Sequence, residues 1–170
     1  MSGTFTLITG GARSSKSSYA EALARASGAP VLFVATAEAG DDDMRERIRR
    51  HRASRPPEWQ TLEEPLSVAV ALRAHNPSGV VLLDCITLLV SNLLLAGRPV
   101  QPEIQALVDW QRSSEAMLIA VTNEVGLGIV PENALARRYR DELGLANQTL
   151  AAAAGQVVLM VAGLPLAIKG

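Results

Sequence analysis

Gly10-Gly11-Ala12-Arg13-Ser14-Ser15-Lys16-Ser17 follows the apolar run Phe5-Thr6-Leu7-Ile8-Thr9 and comes close to a pattern with a specific chemistry. A glycine-rich turn leading from a strand into a helix lets consecutive backbone N–H groups curl around phosphate oxygens. The helix N-terminus adds positive dipole, a lysine placed as Lys16 reaches the β/γ-phosphates, and a hydroxyl placed as Ser17 can ligate Mg2+. The nucleotide-loop pattern G-x-x-x-x-G-K-[S/T] has glycine where this chain has Ser15. If φ is positive there, Ser15 strains the loop by about 1 kcal/mol or more, although it keeps every N–H donor. The competing reading is a serine- and glycine-rich turn that only caps the helix beginning at Lys16.

Two further places carry chemistry-bearing side chains. Val80-Val81-Leu82-Leu83-Asp84 ends a buried strand on a carboxylate, which can hold a metal directly or through water, or cap the following helix. Cys85 beside it reads as a small buried filler rather than a nucleophile. Residues 41–55, DDDMRERIRRHRASR, hold four acids and six arginines. Met44, Ile48 and His51 recur at helical spacing, so His51 shares their face while Arg49, Arg50 and Arg52 fan out beside it. Neighbouring guanidinium groups keep an imidazole neutral near pH 7, as a nucleophile requires. A packed core histidine with one hydrogen bond explains the same spacing, and a basic nucleic-acid patch is a third reading.

These side chains need a frame that brings them together. Apolar, largely β-branched stretches at residues 4–9, 31–36, 80–84, 117–122 and 157–162 have strand length and the pattern of strands covered on both faces. Between them lie segments for crossover helices at 16–27, 41–53, 65–75, 86–96, 102–114 and 131–154, the last in two pieces around Gly144. Alternating strand and helix predicts an α/β fold, a mostly parallel sheet with helices on both faces. Ligands then bind at the carboxyl ends of the strands. Those ends are Gly10 to Ser17, Thr36-Ala37-Glu38, Asp84-Cys85 and Asn123-Glu124. The proline pair at 56–57 breaks the chain after the arginine-rich helix, and residues 96–99 form another turn.

Composition narrows the function. At 170 residues the chain makes one domain, residues 1–170. Sixteen basic and 17 acidic side chains give a net charge of −1, so no global field draws it to nucleic acid or an anionic membrane. No apolar run reaches the roughly 20 residues of a membrane span, and a soluble cytoplasmic protein is expected. A single cysteine excludes an internal disulfide and a multi-thiolate metal site.

The loop, Arg47-Ile48 with His51, Arg55-Pro56 with Trp59, Asp84-Cys85-Ile86-Thr87, Thr122-Asn123-Glu124-Val125-Gly126, Ile129-Val130-Pro131-Glu132-Asn133 and Asn147-Gln148 together resemble the bifunctional adenosylcobinamide kinase/adenosylcobinamide-phosphate guanylyltransferase family of cobalamin biosynthesis. The resemblance runs from the first strand to the C-terminus and implies a P-loop NTPase-like fold. It implies phosphorylation of the aminopropanol hydroxyl of adenosylcobinamide with ATP or GTP. A guanylyl-histidine on His51 follows, formed by attack on the α-phosphate of GTP with release of pyrophosphate, and GMP then passes to adenosylcobinamide phosphate. Lys16 is the second catalytic residue implied.

By position, the family's nucleotide contacts fall on Gly10, Gly11, Ala12, Arg13, Ser14, Ser15, Lys16 and Ser17, on Thr36, Ala37 and Glu38, on Arg52, Ala53, Ser54 and Arg55, and on Glu63 and Asp84. The family often has glutamate where Asp84 stands, so a metal or ribose contact there becomes water-mediated. Mg2+ held by Ser17 and Asp84 and a homotrimer binding corrinoid between subunits are further implications. For Asn123-Glu124 both substrate positioning and loop bracing stay open, with no catalytic role for Glu124. The rivals are a different P-loop small-molecule kinase without guanylyl transfer and a nucleotide-dependent nucleic-acid-binding protein.

Overall fold

The computed structural model describes residues 3–38, 45–46, 49, 52–53 and 55–170. In chain order the elements are β1 (Phe5–Gly10), α1 (Lys16–Ala26), β2 (Val31–Ala35), β3 (Gln60–Glu63), α2 (Val68–His75), β4 (Val80–Asp84), α3 (Ile86–Leu95), α4 (Val100–Ser113), β5 (Met117–Val121), α5 (Ala134–Ala153), β6 (Gln156–Val161) and β7 (Leu164–Lys169). One seven-stranded sheet runs in the order β3-β2-β4-β5-β1-β6-β7. All neighbours are parallel except the β6–β7 hairpin.

Alternate strand residues enter two separate cores, which is why these strands read as apolar throughout. Leu7, Leu32, Val34, Val81, Leu83, Leu118 and Ala120 face one side, under α2 to α5. Ile8, Val31, Phe33, Leu82, Ile119 and Val158 face the other, with Ala20 and Ala24 of α1 and, at the margin, Trp59. Helices therefore cover both faces, unequally. No helix among the described residues is long and apolar enough to cross a membrane.

Three expectations change. The 131–154 segment is one helix of 20 residues, Ala134–Ala153, running straight through Gly144. Glycine costs about 1 kcal/mol in a helix, but Leu143, Ala146, Asn147 and Leu150 form a buried stripe across it that holds the helix together. Its start is marked by Asn133, whose side chain accepts from Ala136 N at 3.0 Å. The helix expected from Pro102 begins two residues earlier, at Val100. Proline inside a first turn removes an N–H that has no intrahelical partner. Finally, both sheet edges carry strands that the apolar pattern does not mark. β3 is polar and mostly exposed, and β7 is exposed along its whole length. The β6–β7 turn passes through Ala162 (φ 51°) and Gly163 (φ 83°), left-handed geometry that matches the twist of a tight hairpin.

Candidate active site

The glycine that ends β1 is demanded by its surroundings. Gly10 has φ 148°, and a Cβ there would sit 2.5 Å from the Met160 carbonyl on β6. The following loop takes left-handed backbone at Arg13 (φ 55°) and Ser15 (φ 69°), positions without glycine's freedom. The positive φ on which the strain argument for Ser15 depends is therefore present. Left-handed residues alternating with others turn successive N–H groups toward a common centre, the geometry of an anion nest at a helix N-terminus. Ser15 occupies the N-cap of α1 without accepting a side-chain capping bond, so its hydroxyl contributes nothing there.

Lys16 opens α1 and folds back over the loop. Its Nζ donates to the Gly11 carbonyl at 2.5 Å and to Ser14 Oγ at 3.4 Å. The side chain is buried, and desolvation holds its pKa below the usual lysine value, opposed by the Asp84 carboxylate. A buried ammonium whose hydrogen bonds among the described residues go to two neutral oxygens suits a phosphate group. Ser17 follows, half-buried in the first helical turn.

The chain brings Asp84 to this place through sheet topology. β4 is separated from β1 by β5, and Asp84 pairs in register with Val121 and Ala35 at the carboxyl edge. Asp84 raises the pKa of Lys16 and of Arg55 against their burial, so its carboxylate sits within electrostatic reach of both. The Asp84–Cys85 peptide is cis. Thr36 clamps that corner: its hydroxyl donates to Cys85 O at 2.7 Å and accepts from Cys85 N at 2.9 Å. Its N–H donates to Asp84 O, and Asn92 on α3 donates to its carbonyl at 2.8 Å. Fully buried, Thr36 holds the end of β2 against β4; its neighbours Ala37 and Glu38 lie progressively more open. Cys85 is pushed up to about 11 by burial and by Asp84, which keeps it a thiol at neutral pH and fits the filler reading.

Arg52 and Arg55 meet the sheet at β2 and β3. Arg52 and Glu63 form an ion pair. The Arg55 guanidinium lies 3.6 Å from the centre of the Phe33 ring, its Nη1 donates to Thr61 Oγ1 at 3.5 Å, and burial lowers its pKa. Its buried Nε has no hydrogen-bond partner among the described residues. Arg25 of α1 stacks on Trp59 at 5.3 Å, fastening the same segment from the other side. Ala53 lies in helical backbone. His51 and Ser54 lie outside the described residues, as do Met44 and Ile48 of the proposed apolar stripe.

The Asn147-Gln148 dipeptide does not by itself reveal what Asn147 does. Buried midway along α5, it accepts from Thr122 Oγ1 at 2.7 Å and donates to Asn123 O at 3.0 Å and Glu124 Oε1 at 3.2 Å. Glu124 Oε1 also accepts from Thr9 at 3.4 Å, and the Glu124 N–H donates to Gly10 O at 3.1 Å. Asn123 N donates to Thr87 Oγ1 at 2.9 Å. Of the two readings left open for Asn123-Glu124, these bonds describe bracing. The available signal was a polar residue in the apolar stripe of a helix, which must find partners when buried.

The arrangement is a strand, a loop with left-handed backbone at Arg13 and Ser15, a buried lysine and a carboxylate on the second strand over. A family model described as "Cobinamide kinase / cobinamide phosphate guanyltransferase" matches residues 6–168. The chain belongs to this family. It is 48% identical over 167 residues to the bifunctional adenosylcobalamin biosynthesis protein CobP of Pseudomonas aeruginosa, covering 96% of each chain. It is 44% identical over 179 residues to the bifunctional adenosylcobalamin biosynthesis protein CobU of Escherichia coli, covering 96% of this chain and 98% of that one. Among solved structures, an ATPase of the type III secretion system aligns with TM-score 0.60 at 11% identity, covering 94% of this chain and 52% of that chain. The RadB recombinase aligns at TM-score 0.51 and 16% identity, covering 93% and 74%. These two likenesses show the fold alone, and the cobinamide family match adds the activity.

Proposed function

We propose that this chain performs both reactions of its family through one nucleotide site at the carboxyl edge of the sheet. The observation that carries the proposal is the family match over residues 6–168, supported by a buried Lys16 within electrostatic reach of Asp84 at the carboxyl edge of the sheet. In the first reaction the aminopropanol hydroxyl of adenosylcobinamide attacks the γ-phosphate of ATP or GTP. The nucleoside diphosphate leaves, and the hydroxyl proton passes to solvent or a base. The N–H groups of residues 10–16 and the Lys16 ammonium hold the β- and γ-phosphates and stabilise charge moving onto the leaving oxygen. Ser17 and Asp84 present hard oxygen donors of the kind Mg2+ takes alongside phosphate oxygens and water, and the ion would neutralise charge on the triphosphate.

In the second reaction the His51 imidazole attacks the α-phosphate of GTP, pyrophosphate leaves, and a phosphorus–nitrogen bond forms. A phosphate oxygen of adenosylcobinamide phosphate then displaces the imidazole, giving adenosylcobinamide-GDP. Arg55, stacked on Phe33 within electrostatic reach of Asp84, and the Arg52–Glu63 pair follow His51 closely in the sequence. They are the nucleotide contacts that the family pattern assigns there, together with Ala37 and Glu38. For Thr36 the contact would be indirect, through the corner it clamps.

Incubation with GTP labelled at the α-phosphate tests the second reaction. An acid-labile, alkali-stable label on the wild-type protein, lost in His51→Ala while cobinamide phosphorylation persists, is the expected result. A phosphate-loop kinase without guanylyl transfer would take up none.

A homotrimer is the assembly this reading takes. Leu164, Leu166 and Ile168 alternate along β7 and so share one face of an edge strand, all exposed. A contact between copies would cover that face. A cytoplasmic location fits nucleoside triphosphate substrates and a lone, reduced cysteine.

A further inference from the structure

The segment between β5 and α5 has a firmly built root and end, and an apolar middle that is largely exposed. At the root, Glu124 donates its N–H to Gly10 O, the first residue of the phosphate loop, and its carboxylate is held by Thr9 and Asn147. At the end, Arg137 Nη1 donates to Pro131 O at 3.0 Å and to Glu132 O at 2.5 Å, and Asn133 caps α5. Between these anchors Leu127 is 91% and Ile129 98% exposed, with Val125 and Val130 also open. A Cβ on Gly126 or Gly128 would meet nothing within 4 Å.

A loop held this firmly could present polar side chains to water without loss, so four branched aliphatic residues in six positions require a partner. Its place identifies that partner. The root is bonded to the phosphate loop itself, whereas the apolar face offered to another copy lies on β7, at the sheet edge. The phosphate acceptor must approach the γ-phosphate with its hydroxyl, so the rest of that molecule lies alongside the phosphate loop. For a corrinoid the rest is a broad macrocycle rimmed with methyl groups and amide arms, whose apolar faces suit aliphatic side chains rather than charged ones.

We infer that residues 125–130 form the platform on which the corrin ring rests in both reactions, with Leu127 and Ile129 as its principal contacts. This rests on the cobinamide reading of the site. The platform acts by burying aliphatic surface against the ring. Removing that surface therefore weakens corrinoid binding and leaves nucleotide binding alone.

Leu127→Ser and Ile129→Ser, made singly and together, test this at positions too exposed to disturb folding, which thermal melts verify. Equilibrium dialysis of adenosylcobinamide, followed by its visible absorbance, is run alongside steady-state kinase kinetics and sedimentation. The expected result for the double variant is a Kd and a KM for adenosylcobinamide raised roughly tenfold or more, with kcat at saturating corrinoid and the Kd for GTP unchanged. An unchanged corrinoid Kd overturns the inference. So does a change of oligomeric state with corrinoid affinity intact, because the loop is then a contact between copies. Wild-type protein that binds adenosylcobinamide through these residues without phosphorylating it would remove the kinase reading and keep the platform.

Discussion

Ser15 is where a single side chain departs from the loop its neighbours build. Its φ of 69° is a conformation in which a Cβ costs about 1 kcal/mol or more, and its hydroxyl caps nothing in α1. Ser15→Gly should therefore tighten nucleotide binding by roughly fivefold, measured by titration calorimetry with GTP. Equal or weaker binding would show that the serine contributes a contact that outweighs its strain. Cys85 makes a pH prediction. Its pKa rises from the ordinary 9.0 to about 11 in the folded chain, so the unfolded chain loses that proton first. The stability it contributes is complete below pH 9 and lost as pH rises through about 11. Urea unfolding of wild type and Cys85→Ala at pH 8 and pH 10.5 should show the wild type losing more between the two, on the order of the linkage for one thiol. A parallel loss in both proteins would remove the thiol as the cause.

At the scale of elements, α5 does more than cover the sheet. Through Asn147 it holds the end of β5 and the root of the next loop, which is bonded in turn to Gly10. Tyr139 of the same helix donates to Thr87 O at 3.4 Å, and Thr87 Oγ1 receives the Asn123 N–H. Asn147→Ala leaves Thr122 and the Glu124 carboxylate without this partner in a buried setting. A loss of about 1–3 kcal/mol in urea unfolding is expected, with a raised KM for corrinoid and a smaller change in GTP affinity. Unaltered stability would mean that water replaces the amide. The same clamp would not be readable from spacing: a lone asparagine in a helix is compatible with solvent, and only its burial makes the demand for partners visible.

At the scale of the molecule, the exposed aliphatic face of β7 is a liability for a lone chain and an asset for an assembly. Sedimentation should find about three chains of 18.0 kDa, and Leu166→Lys, which puts a charge on that face, should shift the mass toward one. A monomeric wild type would reject the trimer. A trimeric Leu166→Lys variant would place its contacts elsewhere. The β3 edge is handled differently, with Gln60, Thr61 and Glu63 around Leu62, polar enough to stay open.

These scales differ in how much the sequence alone determined. β1, β2, β4, β5 and β6 were legible because both faces of each are buried, which forces continuous apolar runs between helix-length segments. β3 and β7 were not, since an edge strand is defined by its pairing with a neighbour and its residues carry no such signal. The continuity of α5 through Gly144 also escaped, because propensity weighs a glycine alone and the buried stripe on either side of it outweighs that cost.

For the candidate site, a local motif marks Gly10 to Ser17, since a phosphate loop is built from consecutive backbone groups and one nearby lysine. The meeting of Lys16, Asp84 and Arg55 needed the strand order β2-β4-β5-β1, which folds distant segments onto one edge. Ser15 spans both: its type marked a departure from the loop, and only the backbone, by giving it a left-handed φ, made that departure a strain.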